Sequence, residues 1–120
     1  MNIYFIISLL HILLVVPLFF LIAFFRSDIP VWAFQSLLGL GLFVGVYHGY
    51  KTAVRYATNS PYVWVNLIHV LFVAPLLIYI GYNQKQTPRW AYELCILAGS
   101  AAFGYHTYEL VKMVNVVEPK

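Results

Sequence analysis

Charge is what this sequence has least of. Of its 120 residues 9% are charged, seven Lys and Arg against four Asp and Glu, where a soluble domain carries about a quarter. A water-soluble globule is excluded. The seven bases are scattered over loops and ends, so no basic stripe exists for nucleic acid. A single cysteine, Cys95, rules out an internal disulfide framework and leaves no partner thiol for redox work. No Ser-His-Asp set, Gly-rich phosphate loop, HExxH or CxxC occurs, so hydrolase, nucleotide and zinc-protease readings have no support. What is abundant is apolar: 62% of residues are hydrophobic, and ten Tyr and nine Phe exclude disorder. The mean hydropathy is +0.81.

Four apolar runs consume nearly all the length, each of about 20 residues, the number a helix needs to cross a hydrocarbon core of ~30 Å. They are Ile3 to Phe25, Val31 to about Tyr50 with a mixed extension to Tyr56, Tyr62 to Tyr82, and Arg89 to about Val111. The runs are continuous rather than alternating, which predicts helices and not a barrel. The first run has no basic n-region and no small-residue cleavage site, so it is expected to remain as a span and not to be a signal peptide. Lys51, Arg55, Lys112 and Lys120 on the side of both termini outnumber Arg26, Lys85 and Arg89 on the other, a weak bias toward cytoplasmic termini in a multi-pass protein. Trp32, Trp64 and Trp90, with Tyr4, Tyr50, Tyr62 and Tyr108, fall near span ends as interfacial aromatics.

The chain also repeats itself. A shift of 58 positions, without a gap, lays Tyr4 on Tyr62, His11 on His69, Pro17 on Pro75, Ile22 on Ile80, Pro30 on Pro88, Trp32 on Trp90, Gly41 on Gly99, Tyr47 on Tyr105 and His48 on His106. Chance matches between apolar segments would give Leu and Val, not paired His, Pro and Trp. The expected fold is therefore an all-α membrane protein, a bundle of four transmembrane helices. It is built from two tandem parallel hairpins, residues 1–57 and 58–120, related by a pseudo-two-fold along the membrane normal.

All four histidines belong to the matched set. His11 lies 14 residues before Phe25 and His48 lies 17 after Val31, which puts both roughly 21 to 26 Å from the hairpin turn at 1.5 Å per residue. The same count applies to His69 and His106, so the four imidazoles are expected to share one layer. Ionisable groups inside spans are costly and point to function. Neutral imidazole is a good ligand for Zn, Cu and Fe, and a pair of His from facing helices holds a b-type haem axially. His11, His48, His69 and His106 are accordingly the candidate cofactor or metal ligands.

Gly41 and Gly45 precede His48, and Gly99 and Ala102 precede His106, on the same helix face. Bare helix surface there leaves room for a flat macrocycle, or else lets two helices pack closely. Ser8 and Asn66 lie three residues before His11 and His69, placed to fix an imidazole tautomer. Pro17 and Pro75 each remove a helical hydrogen bond, from the carbonyls of Leu13 and Leu71, predicting a matched kink. Tyr47, Tyr50, Tyr105 and Tyr108 flank the second His of each repeat, as an aromatic belt or as a hydrogen-bonded path to water. Glu93, on the first turns of the fourth run, is read as structural.

Through the segments His11 to Pro17 and His69 to Pro75, with the Leu-rich run that follows each, the chain resembles the small four-span membrane proteins of large DNA viruses of algae. The resemblance covers most of each hairpin and implies no activity. The leading expectation is a small b-type cytochrome binding haem b, with equivalent residues as trans ligands, either His11 with His69 or His48 with His106. A tetra-His Zn or Cu site is the near variant. A histidine-based proton or cation pathway comes next, followed by a structural envelope protein with no cofactor. Expected partners are the lipid bilayer, a second copy of the chain and, for a cytochrome, a redox partner. No enzyme chemistry beyond electron transfer is expected.

Overall fold

The computed structural model describes residues 2–117, and among these every regular element is helical. Four helices follow in order: α1 Ile3–Asp28, α2 Val31–Ala57, α3 Val63–Gln86 and α4 Arg89–Val117. The first three, of 26, 27 and 24 residues, are long and apolar enough to cross a membrane. At 1.5 Å per residue each exceeds the ~30 Å hydrocarbon thickness. The fourth has 29 residues but a more mixed composition, with Arg89, Glu93, Glu109 and Lys112 in it. Met1 and Lys120, on which the sidedness of the termini was read, lie outside the described residues.

Local chemistry sets the helix ends. Asn2 accepts a hydrogen bond from the Tyr4 amide at 2.9 Å and so caps α1. Pro30, extended at φ −68° and ψ 155°, precedes α2 and accepts from the amides of Ala33 and Phe34. At the other end of α2 Asn59 adopts φ 56°, and the Ser60 amide reaches back to the Arg55 carbonyl at 2.8 Å, a Schellman closure with Asn in the position glycine usually takes.

Where the sequence predicts a matched kink at Pro17 and Pro75, the helices show a π-helical turn before each proline. The five residues His11–Val15 and the five residues His69–Val73 are π-helical turns inside α1 and α3. The amide of Val16 bonds to the carbonyl of His11, five residues back, and the amide of Ala74 bonds likewise to that of His69. Each proline lacks the N–H that the carbonyl four residues earlier would receive, and the wider turn takes up the mismatch.

Two compact units form, residues 1–25 with 92–120, and residues 26–91. Each therefore joins a helix from one half of the repeat to a helix from the other, and neither coincides with the halves 1–57 and 58–120. In the second unit α2 packs along α3 through Gly41 and Gly81. A Cβ on Gly41 would stand 2.8 Å from Ile78 Cγ1, and one on Gly81 would stand 2.5 Å from the Leu38 amide nitrogen. Phe34, Leu37, Ala74, Leu77 and Ile80 are buried there. The turns of this unit, residues 26–28 and 84–86, touch through Lys85, whose Nζ donates to the Ser27 carbonyl at 2.8 Å. In the first unit Gly99 of α4 lies against Phe19 and Phe20 of α1, and Val16, Phe19, Ile22, Cys95 and Ala98 are buried.

The offset of 58 carries buried positions onto buried positions: Ser8 onto Asn66, Phe19 onto Leu77, Ile22 onto Ile80, Phe34 onto Tyr92, Leu37 onto Cys95. It also carries the π-turns onto each other and Arg26 at φ 51° onto Gln84 at φ 52°.

Candidate functional site

The four histidines come together in twos. In the second unit His48 of α2 stacks on His69 of α3, ring centroids 3.9 Å apart and planes at 16°. In the first unit His11 of α1 stacks on His106 of α4 at 4.3 Å and 29°. Each pair joins a residue that opens a π-turn to one in an uninterrupted helix. Each pair also maps onto the other under the 58-residue shift, His48 to His106 and His69 to His11.

Every imidazole is fixed through Nδ1. His11 donates to the Ile7 carbonyl at 2.8 Å and His69 to the Val65 carbonyl at 2.7 Å, four residues back on their own helices. A carbonyl oxygen only accepts, so in the neutral rings the proton sits on Nδ1 and the lone pair on Nε2. The other two imidazoles reach across to the neighbouring helix. His48 Nδ1 lies 2.8 Å from Asn66 Oδ1 and His106 Nδ1 lies 3.2 Å from Ser8 Oγ. Ser8 and Asn66 thus hydrogen-bond an imidazole, but the one on the facing helix and not the one three residues along. Asn66, 2% exposed, keeps one cost: its Nδ2 has no hydrogen-bond partner.

Tyr47 and Tyr105 each turn an edge toward the neighbouring imidazole, at 5.1 Å in both units and 87° and 78° respectively. Tyr50 and Tyr108 are exposed, as an interfacial belt requires. Thr52 Oγ1 donates to the His48 carbonyl at 2.6 Å, a local support the sequence did not single out.

The residues expected to leave space for a macrocycle do not leave it. Gly41 is covered by Ile78 and Leu77, a Cβ on Gly45 would meet Ala74 Cβ at 3.4 Å, and one on Gly99 would meet Phe19 and Phe20 at 3.3 Å. Ala102 is half-buried, one turn before His106. These positions serve close helix packing. A haem does not fit between the members of either pair. Trans axial imidazoles point end-on at the iron from opposite faces of the ring system, with metal–nitrogen bonds of about 2 Å, whereas these rings lie face to face in van der Waals contact. The equivalent residues expected as trans ligands, His11 with His69 or His48 with His106, are not the ones that stack. Among the described residues no group of three or more His, Cys, Asp or Glu side chains is placed to hold a metal ion. The four expected ligands form two stacked pairs, one in each unit.

Glu93 is exposed on the first turns of α4, thirteen residues before His106 and so about 20 Å from it along the helix. Cys95, two residues further along the same helix, is a fully buried free thiol. No family model, curated protein or solved structure matches this chain.

Proposed function

We propose that the chain is a four-span membrane protein whose paired imidazoles take up and release protons within the bilayer, a histidine-based proton pathway. The observation that carries this reading is the stacked pair, found in both units, with every Nδ1 tied to a neighbouring oxygen. Imidazole is the side chain whose ordinary titration falls between about pH 5 and 8. Two imidazolium charges about 4 Å apart, at an effective dielectric of about 20, repel by about 4 kcal/mol. Double protonation of a pair is opposed by that repulsion. Four spans give both termini the same side of the membrane, with Lys51, Arg55 and Lys112 favouring the cytoplasm.

Purified protein in liposomes, with a trapped pH-sensitive dye and an imposed potassium-diffusion potential, should acidify or alkalise the lumen faster than empty vesicles. His106→Ala should cut that rate by about a hundredfold, the low end of what a positioned proton-transfer group contributes. Flux no faster than in empty vesicles overturns the reading. A stoichiometric Soret band in the purified protein would instead restore the cytochrome and its electron-transfer role.

A second reading is a Zn or Cu site at either pair, because metal-ligating imidazoles are commonly anchored by an Nδ1–H hydrogen bond of this kind. Two nitrogens fall short of the three protein ligands that even open zinc sites use. Tight equilibrium binding of Zn, abolished by His48→Ala, would favour this reading.

A further inference from the structure

Proton transfer through an imidazole, as opposed to onto it and back, requires the ring to gain a proton at one nitrogen and lose one at the other. The group facing Nδ1 decides whether that can happen. His11 and His69 face backbone carbonyls, and His48 faces the carboxamide oxygen of Asn66. All three partners only accept, so they hold the proton on Nδ1. His106 faces Ser8 Oγ, and a hydroxyl both donates and accepts. The hydroxyl proton changes its role by rotating about the Cβ–Oγ bond, with no heavy atom displaced. Asn66 would have to turn its whole carboxamide over in a packed site where it is 2% exposed. The bond lengths agree with this distinction, 2.8 Å for the amide and a looser 3.2 Å for the hydroxyl.

We propose that the two imidazole pairs are unequal: Ser8 lets His106 exchange tautomers, making His106 the ring through which protons pass, while Asn66 locks His48 into one tautomer. This rests on the proton-pathway reading above. In the passing step a proton adds to Nε2 of His106, the Nδ1 proton leaves for Ser8 Oγ, and the serine gives its own hydroxyl proton to water. One proton enters and one leaves, no electrons are gained or lost, and the ring ends neutral with its proton on the other nitrogen. Ser8 relays the proton that leaves His106. The unsatisfied Nδ2 of Asn66 fits the same division, since a serine there would hold His48 without stranding a buried donor.

The test combines ¹⁵N NMR of ring nitrogens in histidine-labelled protein, reconstituted in lipid, with the liposome assay. At alkaline pH His11, His48 and His69 should each show a single neutral tautomer with the proton on Nδ1, and His106 should show both. Ser8→Ala and Ser8→Asn should collapse His106 to one tautomer and cut proton flux by about a hundredfold. Ser8→Thr, which keeps the hydroxyl, should retain both. Asn66→Ser should give His48 two tautomers. A single tautomer at His106 in the unaltered protein, or full flux in a Ser8→Ala protein whose two histidine pairs still give native ring signals, overturns the proposal. If the unaltered protein carries no protons at all, the pathway reading fails, and the NMR spectra still decide whether the pairs differ.

Discussion

The α2–α3 pair and the α1–α4 pair share one plan at two degrees of tightness. Where the second unit brings Gly41 against the Ile78 backbone, the first brings the equivalent Gly99 only against the side chains of Phe19 and Phe20. Where the second has Gly81 pressed on the backbone of Leu38, the equivalent residue of the first is Ala23. The imidazoles follow suit: 3.9 Å and 16° with a 2.8 Å amide bond, against 4.3 Å and 29° with a 3.2 Å hydroxyl bond. In hydrocarbon, where lipid tails compete equally for apolar surface, small residues and short polar contacts set how closely helices approach. A glycine and a carboxamide at two positions suffice to distinguish the tighter pair.

The largest test of that difference is Gly81→Ala. Its Cβ would fall 2.5 Å from the Leu38 backbone nitrogen, which cannot swing aside as a side chain can. Unfolding in mixed micelles should show a loss of about 3 kcal/mol, the upper part of the range for overpacking. The reverse change at the matched site, Ala23→Gly, should cost about 1 kcal/mol through helix propensity. Next come the paired glycines. Gly41→Ala meets Ile78 N at 2.9 Å and should cost about 2 kcal/mol, while Gly99→Ala meets movable phenylalanine rings at 3.3 Å and should cost about 1 kcal/mol. Equal losses would erase the distinction between the units.

Pro17→Ala and Pro75→Ala should affect the stability of the two units alike. Each restores a donor to the carbonyl of Leu13 or Leu71, so stability should not fall, yet the π-turn that aims the histidine loses its cause. Proton flux should fall in Pro17→Ala, whose π-turn seats His11 against His106, and hold in Pro75→Ala. The smallest effect belongs to Gly39→Ala, whose Cβ would meet nothing within 4 Å. A shift beyond about 0.5 kcal/mol there would mean that this face is covered in the membrane.

The helices, the two proline distortions and all four histidines were legible in the sequence, because apolar run length and a repeated His, Pro and Trp register are one-dimensional signals. The choice of neighbours was not. A 58-residue repeat says that His11 and His69 occupy equivalent environments, and equivalence was read as proximity. Two helices with equivalent environments instead each pack against a helix of the other kind, so the partner of His11 is His106. Ser8 and Asn66 were singled out by spacing along their own helix, which cannot reveal that a side chain reaches across to the facing one. The glycines before His48 and His106 offered bare surface in the sequence, and only the packing of Ile78, Ala74 and Phe20 against them decides what fills it. The positive φ of Arg26 and Gln84 left no trace, since neither residue is of a type that advertises it.

The π-turns also act as a register shift. An α-helix advances 100° per residue, so the one extra residue accommodated in each wide turn rotates everything after it by about that angle relative to everything before. Ser8 and His11 in α1, and Asn66 and His69 in α3, thus address one direction, while the bulky segments after Pro17 and Pro75 address a direction their own sequence spacing would not supply. Each helix behaves as two short segments joined by an inserted residue. Excising one residue between the histidine and the proline should leave a straight rod whose polar and greasy stripes have drifted apart, with the imidazoles swung away from their partners and the lower half still seated.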